Sequence, residues 1–519
     1  MAVDSKKLKV VDVYWENTYM HLKTNYDVDK LVLYRKKGKE KHQMIKVEEG
    51  HFKINVVNVS NKYHVLYGEY LVLYNKKPIQ LDKELYKTIE DKEKLFLFPK
   101  AKAYLAFYKT KNSILRINFQ TYKNIKIEDV VEVPRPKKLK NKIKKVLNKM
   151  VKCFTQFLYN VVRAITPNKN KNKNVLFLTM NKKVIDGNLI ALYNYMKENT
   201  EYNLIEEAFN VFKIKNIKKV IPTIRSTIKV AKCNYIFIDN YTPLFNYLKI
   251  DKDVELVQLW HAGVGFKSVG YARFGKEGSP NLIKSSHRKY TRAIASSDKT
   301  AEIYQDVFGI SKDKFIITGL PRLDGLVENR EDIKEKVLNA YPELRGKRNV
   351  LFAPTYRGKG QAVARYNMKW LDLKKIDEFC RSHRINFIIK MHPFIKKLGV
   401  KLDKYTNIKD LSSYPDMNEL LCVSNAMITD FSSNIYEAAL LDVPIIIFAP
   451  DKENYEQTRG VHRTLDEFAG DDISRNTGEL LESLRMLRVK KWQKKFKRDE
   501  VQLEHGGSCK QIVEEIFNK

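Results

Sequence analysis

Residues 174–450 carry two series of short apolar runs, separated by segments long enough to hold helices. The first series consists of NVLFLTM (174–180), NYIFIDN (234–240), LVQLWHA (256–262), RAIASS (292–297) and KFIITG (314–319). The second consists of RNVLFAPTYR (348–357), NFIIKMHP (386–393), NAMITDFSS (425–433) and VPIIIFAP (443–450). Continuous apolar runs of this kind indicate parallel strands covered on both faces. They predict an α/β fold with two Rossmann-like domains, residues 174–335 and 336–519, whose ligands bind where the strands end.

Residues 1–132 follow a different pattern. Short runs of β-branched and aromatic residues, such as HFKINVVNVS (51–60) and AYLAFYKTKNSILRINF (103–119), are broken by turn residues. These runs predict a small β-rich accessory domain that resembles a β-sandwich. Nothing in it suggests catalysis, so a scaffold or an acceptor-binding module is expected. Pro134 and Pro136 mark the boundary that follows.

Residues 133–173 form a basic linker with helical periodicity. Its apolar residues recur at spacings of three and four, with lysines on the other face: Val146, Met150, Phe154, Phe157, Leu158 and Val161. An apolar face bordered by cations is typical of a helix that lies in the interface of an anionic membrane. The alternative is a packed linker helix with a solvated basic face.

The charge of the chain points to a polyanionic partner. Its 519 residues include 96 Lys and Arg against 61 Asp and Glu, a formal net charge of +35. Thirteen of the cations lie in 133–174 and eight in 485–498, and neither stretch contains an acidic residue. Nucleic acid is disfavoured because no nucleic-acid-binding motif accompanies the charge. Trp492 and Phe496, among the lysines of 485–498, suit a membrane surface instead.

The cell compartment follows from what the sequence lacks. No apolar run approaches the roughly 20 residues that span a bilayer, and the N-terminus has no signal-peptide pattern. The five cysteines lack CxxC spacing, which argues against a zinc site or a disulfide framework. The chain is therefore expected to be cytoplasmic and reduced.

Polar residues gather where the apolar runs end, which is where a cleft between the two domains would bind its ligand. His261 ends one run and is placed to accept a proton from a hydroxyl group. Gly263 and Gly265 follow it and would let backbone N–H groups approach a phosphate. The alternative for His261 is a core histidine whose hydrogen bonds are satisfied.

The other candidates suit a phosphate-bearing ligand. They are Thr355, Arg357, Lys390 and His392 at strand ends, Ser432 and Ser433 at the expected N-cap and first turn of a helix, Glu437 one turn further, and Arg322 and Arg459 in loops. Arginines and a helix start neutralise phosphate charge, and Glu437 could accept hydrogen bonds from ribose. Asp430 is expected to be structural. Because no GxGxxG, Walker A, HExxH or strand-end DxD motif is present, a nucleotide-diphosphate site without an obligatory metal or cofactor is predicted.

In this order and spacing, the segments resemble the CDP-glycerol glycerophosphotransferases, which build teichoic acid and related polyol-phosphate polymers. The resemblance covers about 174–470 through WHAGVGFKSVG, GLPRLDGL, APTYR, KMHP, the segment from Asp416 to Phe448, and the later TRG. It implies a GT-B-like arrangement, with the acceptor on the side of 174–335 and the CDP-polyol on the side of 336–519. It also implies a peripheral position on the cytoplasmic face of the cell membrane and a lipid-linked saccharide or polyol-phosphate acceptor.

The same resemblance carries the family's contacts with the nucleotide-polyol onto this chain. They fall on His261, Ala262, Gly263, Val264, Gly265, Arg322, Pro354, Thr355, Lys390, Met391, His392, Ser432, Ser433 and Glu437. The family often has Gly-Thr-Pro where this chain has Ala262, Gly263 and Val264, and an aspartate where it has Glu437. Both departures bear on the identity of the polyol more than on the reaction type.

The expected reaction is attack of an acceptor hydroxyl on the β-phosphorus of CDP-glycerol, which releases CMP. His261 and His392 are the expected catalytic residues. His261 acts as general base, and His392 helps to hold the diphosphate and its developing charge. The alternatives are CDP-ribitol as donor, a GT-B glycosyltransferase that uses a nucleotide sugar, and a non-catalytic membrane- or RNA-binding protein. The sequence leaves open priming against polymerisation, and it is compatible with an oligomer.

Overall fold

The computed structural model describes residues 7–16, 18–35, 38–57, 68–92, 94–98, 102–111, 113–123, 138–210, 220–263, 269–273, 285–358, 363–459, 461, 463–501 and 507–518. Within these residues the chain forms three β-sheets, one of 12 strands near the N-terminus and two of six strands further along. Helices alternate with the strands of the two six-stranded sheets along the chain. The fold is therefore α/β, as the apolar pattern predicted, and a β-rich part precedes it.

The strands are β1 (Lys9–Glu16), β2 (Tyr19–Thr24), β3 (Val32–Arg35), β4 (Glu40–Gln43), β5 (Ile45–Glu48), β6 (His51–Asn55), β7 (Gly68–Tyr74), β8 (Lys77–Pro78), β9 (Gln80–Leu81), β10 (Lys94–Phe98), β11 (Lys102–Lys111), β12 (Ile114–Lys123), β13 (Asn174–Thr179), β14 (Asn203–Ala208), β15 (Tyr235–Ile238), β16 (Glu255–Gln258), β17 (Arg292–Ala295), β18 (Phe315–Ile317), β19 (Arg348–Phe352), β20 (Ile385–Ile389), β21 (Ile408–Asp410), β22 (Ala426–Thr429), β23 (Ile445–Phe448) and β24 (Ile473–Ser474). The helices are α1 (Lys83–Thr88), α2 (Lys138–Ile165), α3 (Asn168–Lys173), α4 (Gly187–Asn199), α5 (Val220–Ala231), α6 (Asp298–Phe308), α7 (Asp324–Glu328), α8 (Arg330–Ala340), α9 (Leu373–His383), α10 (Met417–Cys422), α11 (Ile435–Leu440), α12 (Lys452–Arg459), α13 (Leu465–Ala469), α14 (Thr477–Arg485), α15 (Lys491–Glu500) and α16 (Ser508–Phe517).

The N-terminal sheet has the strand order β4-β3-β7-β12-β9-β1-β2-β6-β5. In addition, β11 pairs with β12, β10 with β11, and β8 with β7. Its strands alternate between core and surface: in β7, Tyr70, Val72 and Tyr74 are buried and their neighbours are partly exposed. The sequence suggested a sandwich of two sheets, but the described strands form one hydrogen-bonded network around one apolar core. Tyr19 and Asn55 attach this sheet to the rest of the chain, since both donate hydrogen bonds to the Asp306 carboxylate in α6.

Both six-stranded sheets are parallel between all their described neighbours. Their orders are β14-β13-β15-β16-β17-β18 and β21-β20-β19-β22-β23-β24. Every residue of β20 and β23 is buried, which explains their continuous apolar sequences. The strands β14, β21 and β24 escaped prediction because they are short or polar strands without an apolar run. In sheets of this kind the ligand lies at the carboxyl ends of the strands, beside the reversal of strand order.

Helix α2 confirms the helix predicted in the basic linker, and its apolar stripe lies at the surface. Thr155, Tyr159 and Arg163 are buried on the side that faces the protein, where Arg163 pairs with Asp251 and Asp253 at 2.7 Å each. On the opposite side the exposed fractions range from 40 to 74% for Met150, Phe154, Phe157, Val161 and Ile165. Leu158 is half-buried, and the side chain of Val146 lies outside the described part.

The aromatic residues of the second basic segment, 485–498, pack inside the protein, although the sequence suggested a membrane surface. Its residues 491–500 form α15, in which Phe496 is buried against Tyr436 and Phe468 and Trp492 packs on the same core. These aromatic residues therefore do not form a membrane surface. The reason is that an amphipathic pattern requires an apolar environment for one face but does not say whether protein or lipid supplies it.

Two helices cross the predicted division between residues 174–335 and 336–519. Helix α8 begins at Arg330 and packs on α10, where Lys336 pairs with Glu419. At the other end, α16 returns to the first sheet: Ser508 and Cys509 donate backbone N–H groups to the Asp324 carboxylate at 3.1 and 2.8 Å. The apolar face of a short helix does not identify the sheet that it covers, so the sequence could not reveal this return.

No described helix is both long enough and apolar enough to cross a membrane.

Candidate active site

The candidate site lies where the carboxyl edges of the two parallel sheets meet. Loops after β16 and β18 bring His261 and Arg322 to it from the first sheet. Loops after β19, β20 and β22 bring the remaining strand-end candidates: Pro354, Thr355, Arg357, Lys390, Met391, His392, Ser432 and Ser433. The two edges touch directly, because the Arg322 guanidinium donates a hydrogen bond to the Glu437 carboxylate of α11. The loops after β16 and β18 therefore approach helix α11 of the second sheet, through Gly263 and Arg322.

A hydrogen bond to the backbone fixes the tautomer of His261. Its Nδ1 lies 3.1 Å from the backbone oxygen of Asp239, and a carbonyl oxygen can only accept, so Nδ1 carries the hydrogen. In the neutral ring Nε2 then holds the lone pair. The ring is accessible from the cleft, but burial within its walls lowers the pKa of His261, against the effect of the hydrogen bond with Asp239. A lowered pKa keeps the ring neutral and able to accept a proton at neutral pH.

The backbone that presents His261 is strained and held from both sides. Trp260 has a φ of +51°, in the left-handed region that a bulky residue rarely adopts. Its N–H donates to the side-chain oxygen of Gln258 at 2.9 Å. Asn188 in α4 donates to the backbone oxygens of Leu259 and Trp260 at 3.1 and 3.0 Å. The same side chain accepts the backbone N–H of Arg322 at 3.2 Å, so Asn188 ties the two candidate loops together.

Gly263 has a structural requirement that the sequence interpretation missed. A Cβ atom placed on it would lie 2.5 Å from the ring of Tyr436 in α11, which leaves room for glycine only. The glycine therefore permits the loop after β16 to approach the opposite sheet. Ala262 precedes it, and its backbone oxygen accepts a hydrogen bond from the Tyr304 hydroxyl at 3.0 Å. Val264 and Gly265 lie outside the described residues.

Arg322 and Glu437 join the two edges across the cleft. Arg322 belongs to the 3-10 helix Pro321–Leu323 after β18, and Glu437 is 1% exposed on α11. The arginine contacts Oε1 of Glu437, whereas Oε2 has no hydrogen-bond partner within the described chain. A buried carboxylate oxygen without a partner is costly. Arg322, the expected phosphate clamp, is thus held at the cleft by a residue that was expected to bind ribose.

His392 has the opposite tautomer to His261. Its Nδ1 accepts the backbone N–H of Phe394 at 3.1 Å, so the hydrogen of the neutral ring lies on Nε2. Its ring centroid lies 4.7 Å from that of Tyr356, the residue after Thr355. His392 can therefore donate a hydrogen bond from Nε2, as contact with a phosphate oxygen requires.

The neighbouring residues of the second sheet build the wall around His392. Thr355 donates its backbone N–H to Asp430 at 2.7 Å, and its hydroxyl is buried with no partner in the described structure. Pro354 is buried directly after β19.

The Lys390 ammonium donates to the backbone oxygens of Ser412 and Tyr414 at 2.9 and 2.6 Å. Burial lowers the pKa of Lys390, against the charges of Asp416 and Asp410. Met391 is buried beside it, and its N–H donates to the Ser412 hydroxyl at 3.0 Å.

Arg357 is committed to the protein rather than presented to a ligand. Its Nε and NH2 groups donate to the two oxygens of Asp451 at 2.7 Å each, and NH2 also reaches Asp430 at 2.9 Å. Its NH1 donates to the Thr355 backbone oxygen at 2.6 Å. Burial works against the charge, but the hydrogen bond with Asp451 and the charge of Asp430 raise the pKa of Arg357. Asp430 is fully buried in this network, which agrees with its expected structural role.

The two serines lie just before helix α11, and Ser432 bonds the backbone of the turn that leads into it. Helix α11 begins at Ile435 with Asn434 as its N-cap, so Ser432 and Ser433 precede the cap. The Ser432 hydroxyl donates to the side-chain oxygen of Asn434 at 2.7 Å. Asn434 makes no capping bond with its side chain, whereas the Ser432 hydroxyl oxygen accepts the backbone N–H of Asn434 at 3.3 Å, as a capping serine does. Arg459 is the last residue of α12, and its side chain lies outside the described part.

Comparison with known proteins gives the chain its relatives. Residues 158–518 match the family model described as CDP-Glycerol:Poly(glycerophosphate) glycerophosphotransferase. The chain is 32% identical over 337 residues to the teichoic acid ribitol-phosphate polymerase TarL of Staphylococcus aureus (strain NCTC 8325 / PS 47), across 63% of this chain and 60% of that protein. It is 27% identical over 312 residues to the teichoic acid glycerol-phosphate primase of Bacillus spizizenii (strain ATCC 23059 / NRRL B-14472 / W23), across 59% of this chain and 79% of that protein.

A third relative and a solved structure also match the chain. The teichoic acid poly(ribitol-phosphate) polymerase of Bacillus spizizenii is 32% identical over 338 residues, and the chain spans only 54% of its length. The solved structure of the wall teichoic acid polymerase TagF has a TM-score of 0.55 and 20% identity, across 73% of this chain and 97% of that chain. This structural likeness concerns the fold.

Proposed function

The chain belongs to the CDP-glycerol:poly(glycerophosphate) glycerophosphotransferase family, and from that premise we propose that it transfers polyol phosphate from a CDP-polyol to an acceptor hydroxyl. The acceptor is a lipid-linked saccharide or a growing polyol-phosphate polymer, and CMP is released. The observation that carries the proposal is the hydrogen bond of His261 Nδ1 to the Asp239 backbone oxygen, which leaves Nε2 as a base. That base lies in a cleft whose other groups suit a diphosphate.

The proposed mechanism uses this chain's own residues. His261 Nε2 takes the proton of the acceptor hydroxyl, and the oxygen attacks the β-phosphorus of the CDP-polyol. The new bond joins the acceptor oxygen to phosphorus, and the bond from phosphorus to the bridging oxygen breaks, so CMP leaves with that oxygen. His392 Nε2–H and Arg322 stabilise charge on the diphosphate. The imidazolium of His261 then releases its proton to solvent.

We also propose a GT-B-like arrangement of the two parallel-sheet domains. The side of 174–335 binds the acceptor and the side of 336–519 binds the donor, except that α16 belongs to the first sheet. The contacts of Arg322 with Glu437 and of Gly263 with Tyr436 support a cleft between the domains. Ser432, Ser433, Thr355, Lys390, Met391 and Pro354 would line the donor side.

Mass spectrometry of the product tests the reaction. The protein is incubated with CDP-glycerol, CDP-ribitol or a panel of UDP-sugars in the presence of a lipid-linked disaccharide. We expect CMP release and a product heavier by one or more polyol-phosphate units. Release of UDP with transfer of a sugar would instead establish the glycosyltransferase alternative and refute the proposal.

The polyol itself has two candidates. The departures at Ala262 to Val264 and at Glu437 left glycerol and ribitol open, with glycerol as the first expectation. Sequence identity favours ribitol. Two ribitol-phosphate polymerases are 32% identical to this chain, whereas the glycerol-phosphate primase is 27% identical. The two CDP-polyol reactions above decide between them, because the mass added per unit differs.

We further propose that α2 holds the enzyme on the cytoplasmic face of an anionic membrane. Its stripe from Met150 to Ile165 recurs at helical spacing and is exposed, and cations of 133–174 accompany it without acidic residues. Burial of an apolar side chain is worth about 1.5–3 kcal/mol, and the cations add attraction to anionic headgroups.

Vesicle flotation tests this membrane contact. Phe154→Ser combined with Phe157→Ser should abolish flotation with anionic vesicles and leave the melting temperature unchanged. Ile221→Ser, at an exposed apolar position of α5 outside the stripe, serves as the control. Flotation that survives the double change would refute the role of α2, and an RNA mobility shift at matched salt would favour the nucleic-acid alternative.

A further inference from the structure

Two tyrosines from opposite sheets hold the loop that follows His261. Tyr304 of α6 donates its hydroxyl to the backbone oxygen of Ala262 at 3.0 Å. Tyr436 of α11 lies so close to Gly263 that a Cβ atom there would be 2.5 Å from its ring. The position of His261 relative to the second sheet therefore depends on how α6 and α11 are held relative to each other.

The backbone of Glu500, the last residue of α15, joins the two sheets. Its carbonyl oxygen accepts hydrogen bonds from the hydroxyl groups of Tyr436 and Ser296, the latter at 2.7 Å. Ser296 directly follows β17 of the first sheet, whereas Tyr436 lies on α11 beside the second. Both hydroxyl groups are on buried residues. A carbonyl oxygen has two lone pairs, so both bonds form at once.

The side chain of Glu500 makes a second link of the same kind. Arg463, between α12 and α13, donates to the two carboxylate oxygens at 2.6 and 2.8 Å. The Lys299 ammonium of α6 lies 3.1 Å from Oε1 of the same carboxylate. Arg463 is itself fixed, because its guanidinium lies 4.0 Å from the ring centroid of Phe468. Glu500 thus contacts a cation from each of the two domains.

These contacts supply geometry more than stability. Glu500 is 1% exposed, and a buried ion pair often contributes no more net stability than apolar packing of the same volume. A two-pronged contact between arginine and a carboxylate, however, fixes direction as well as distance. Because Glu500 binds α6 through Lys299 and α11 through Tyr436, it fixes the two helices that hold the loop of His261.

We propose that Glu500 is a positioning residue of the transfer reaction. It holds α6 against α11 and thereby keeps His261 Nε2 where it reaches the acceptor hydroxyl beside the donor. The proposal rests on the function proposed above and adds a residue that contacts neither substrate. Displacement of a catalytic group by about 1 Å can cost about 100-fold in rate, so this link controls turnover.

Glu500→Gln tests the link, because it keeps the shape of the side chain and removes the charge that Arg463 and Lys299 share. We expect kcat to fall about 10- to 100-fold. The KM for the CDP-polyol should change about threefold or less, because the donor residues of the second sheet stay in place. The acid limb of kcat/KM should keep its midpoint, since the bond of His261 to Asp239 lies within the first sheet. An unchanged kcat, or a change in the donor KM alone, would overturn the proposal.

Glu207→Gln is the matched control. Glu207 is also buried, and it pairs with an arginine and a lysine: Arg225 at 2.8 Å and Lys229 at 2.6 Å. All three residues belong to the first domain, so this cluster joins no two sheets. Both variants should lose melting temperature to a similar extent, but only Glu500→Gln should lose turnover. A similar fall of kcat in both variants would show that Glu500 contributes to stability alone.

Tyr436→Phe tests the same link without a change of charge, and it keeps the proposal testable if Glu500→Gln does not fold. The ring stays against Gly263, and Ser296 still donates to the Glu500 oxygen, so no buried oxygen is left without a partner. We expect kcat to fall about threefold to tenfold, the value of one hydrogen bond. A kcat equal to that of the wild type would contradict the role of this contact.

Hydrogen–deuterium exchange separates this proposal from the proposed function, because it needs no substrate. In Glu500→Gln the backbone N–H groups of residues 259–263 and of α11 should exchange faster than in the wild type, whereas Glu207→Gln should leave them unchanged. Faster exchange supports the link even if the protein transfers no polyol phosphate. Unchanged exchange in both segments overturns the link even if the protein uses a CDP-polyol.

Discussion

The two edges of the cleft use their polar residues in different ways. On the first sheet, the hydrogen bond of His261 to the Asp239 backbone leaves Nε2 with its lone pair. On the second sheet, Arg357, Asp430 and Asp451 bind one another, and Lys390 binds two backbone oxygens. Buried charges must be paired or hydrogen-bonded to be stable. A charged residue at a strand end can therefore build the wall of a site without being available to its ligand.

His261→Ala should have the largest effect, because it removes the base from the first edge. We expect turnover to fall roughly 100- to 10,000-fold, while the melting temperature stays near that of the wild type. Turnover is measured by CMP release, and thermal unfolding by circular dichroism. Near-normal turnover in the folded variant would show that His261 is not the base, and the first edge would then no longer differ from the second in this respect.

Arg357→Gln should act on stability instead. It leaves the buried Asp430 and the partly exposed Asp451 without their partner, and removal of one member of a buried pair typically costs about 3–5 kcal/mol of unfolding free energy. Urea unfolding measures this loss, with Arg365→Gln as the control, because Arg365 is exposed and pairs with Arg357 only through the backbone. If Arg357→Gln kept full stability and lost donor affinity, Arg357 would be a ligand clamp after all.

Arg322→Gln should act on donor binding. The amide can still donate to Glu437, but the charge toward the diphosphate is lost. A hydrogen bond to a charged group is worth about 1.5–3 kcal/mol, so the KM for the CDP-polyol should rise about 10- to 100-fold. Arg357→Gln is the contrasting variant, because Arg357 is bound to the protein. Equal effects of the two changes on the donor KM would contradict the view that Arg322 faces the ligand and Arg357 does not.

Asn188→Ala should have a smaller effect, because this residue acts through the loops that it joins. Loss of its bonds to Leu259, Trp260 and Arg322 should lower kcat about tenfold and leave the pH dependence of kcat unchanged. Asn199→Ala, in the last turn of the same helix and exposed, is the control. A shifted pH dependence would show that Asn188 affects the proton transfer itself.

The sequence predicted the parts of this fold that depend on periodicity. Continuous apolar runs are characteristic of buried parallel strands, and the structure places His261, Thr355 and His392 just after the ends of such strands. Asn188 was missed because an isolated asparagine at a helix start has no distinctive pattern, and its value comes from two loops distant in sequence. Arg357 was assigned to phosphate because its partner Asp451 follows another strand, 94 residues later.

The two basic helices show the same limit on a larger scale. The stripes of α2 and α15 look alike in sequence, yet Phe157 of α2 is exposed and Phe496 of α15 is buried. In α2 the buried side is fixed by Arg163, whose partners Asp251 and Asp253 come from a distant loop. Which face of a helix meets the protein is thus decided by tertiary contacts that periodicity does not encode.

The pH dependence of kcat/KM tests the central claim, that neutral His261 is the base, most directly. Burial lowers the pKa of His261 from its ordinary value of 6.5, and the base must be unprotonated to act. Activity should therefore rise with pH along an acid limb whose midpoint lies below 6.5, and reach its plateau by neutral pH. The residual activity of His261→Ala should lack this limb. An acid limb that persists unchanged in His261→Ala would contradict the account.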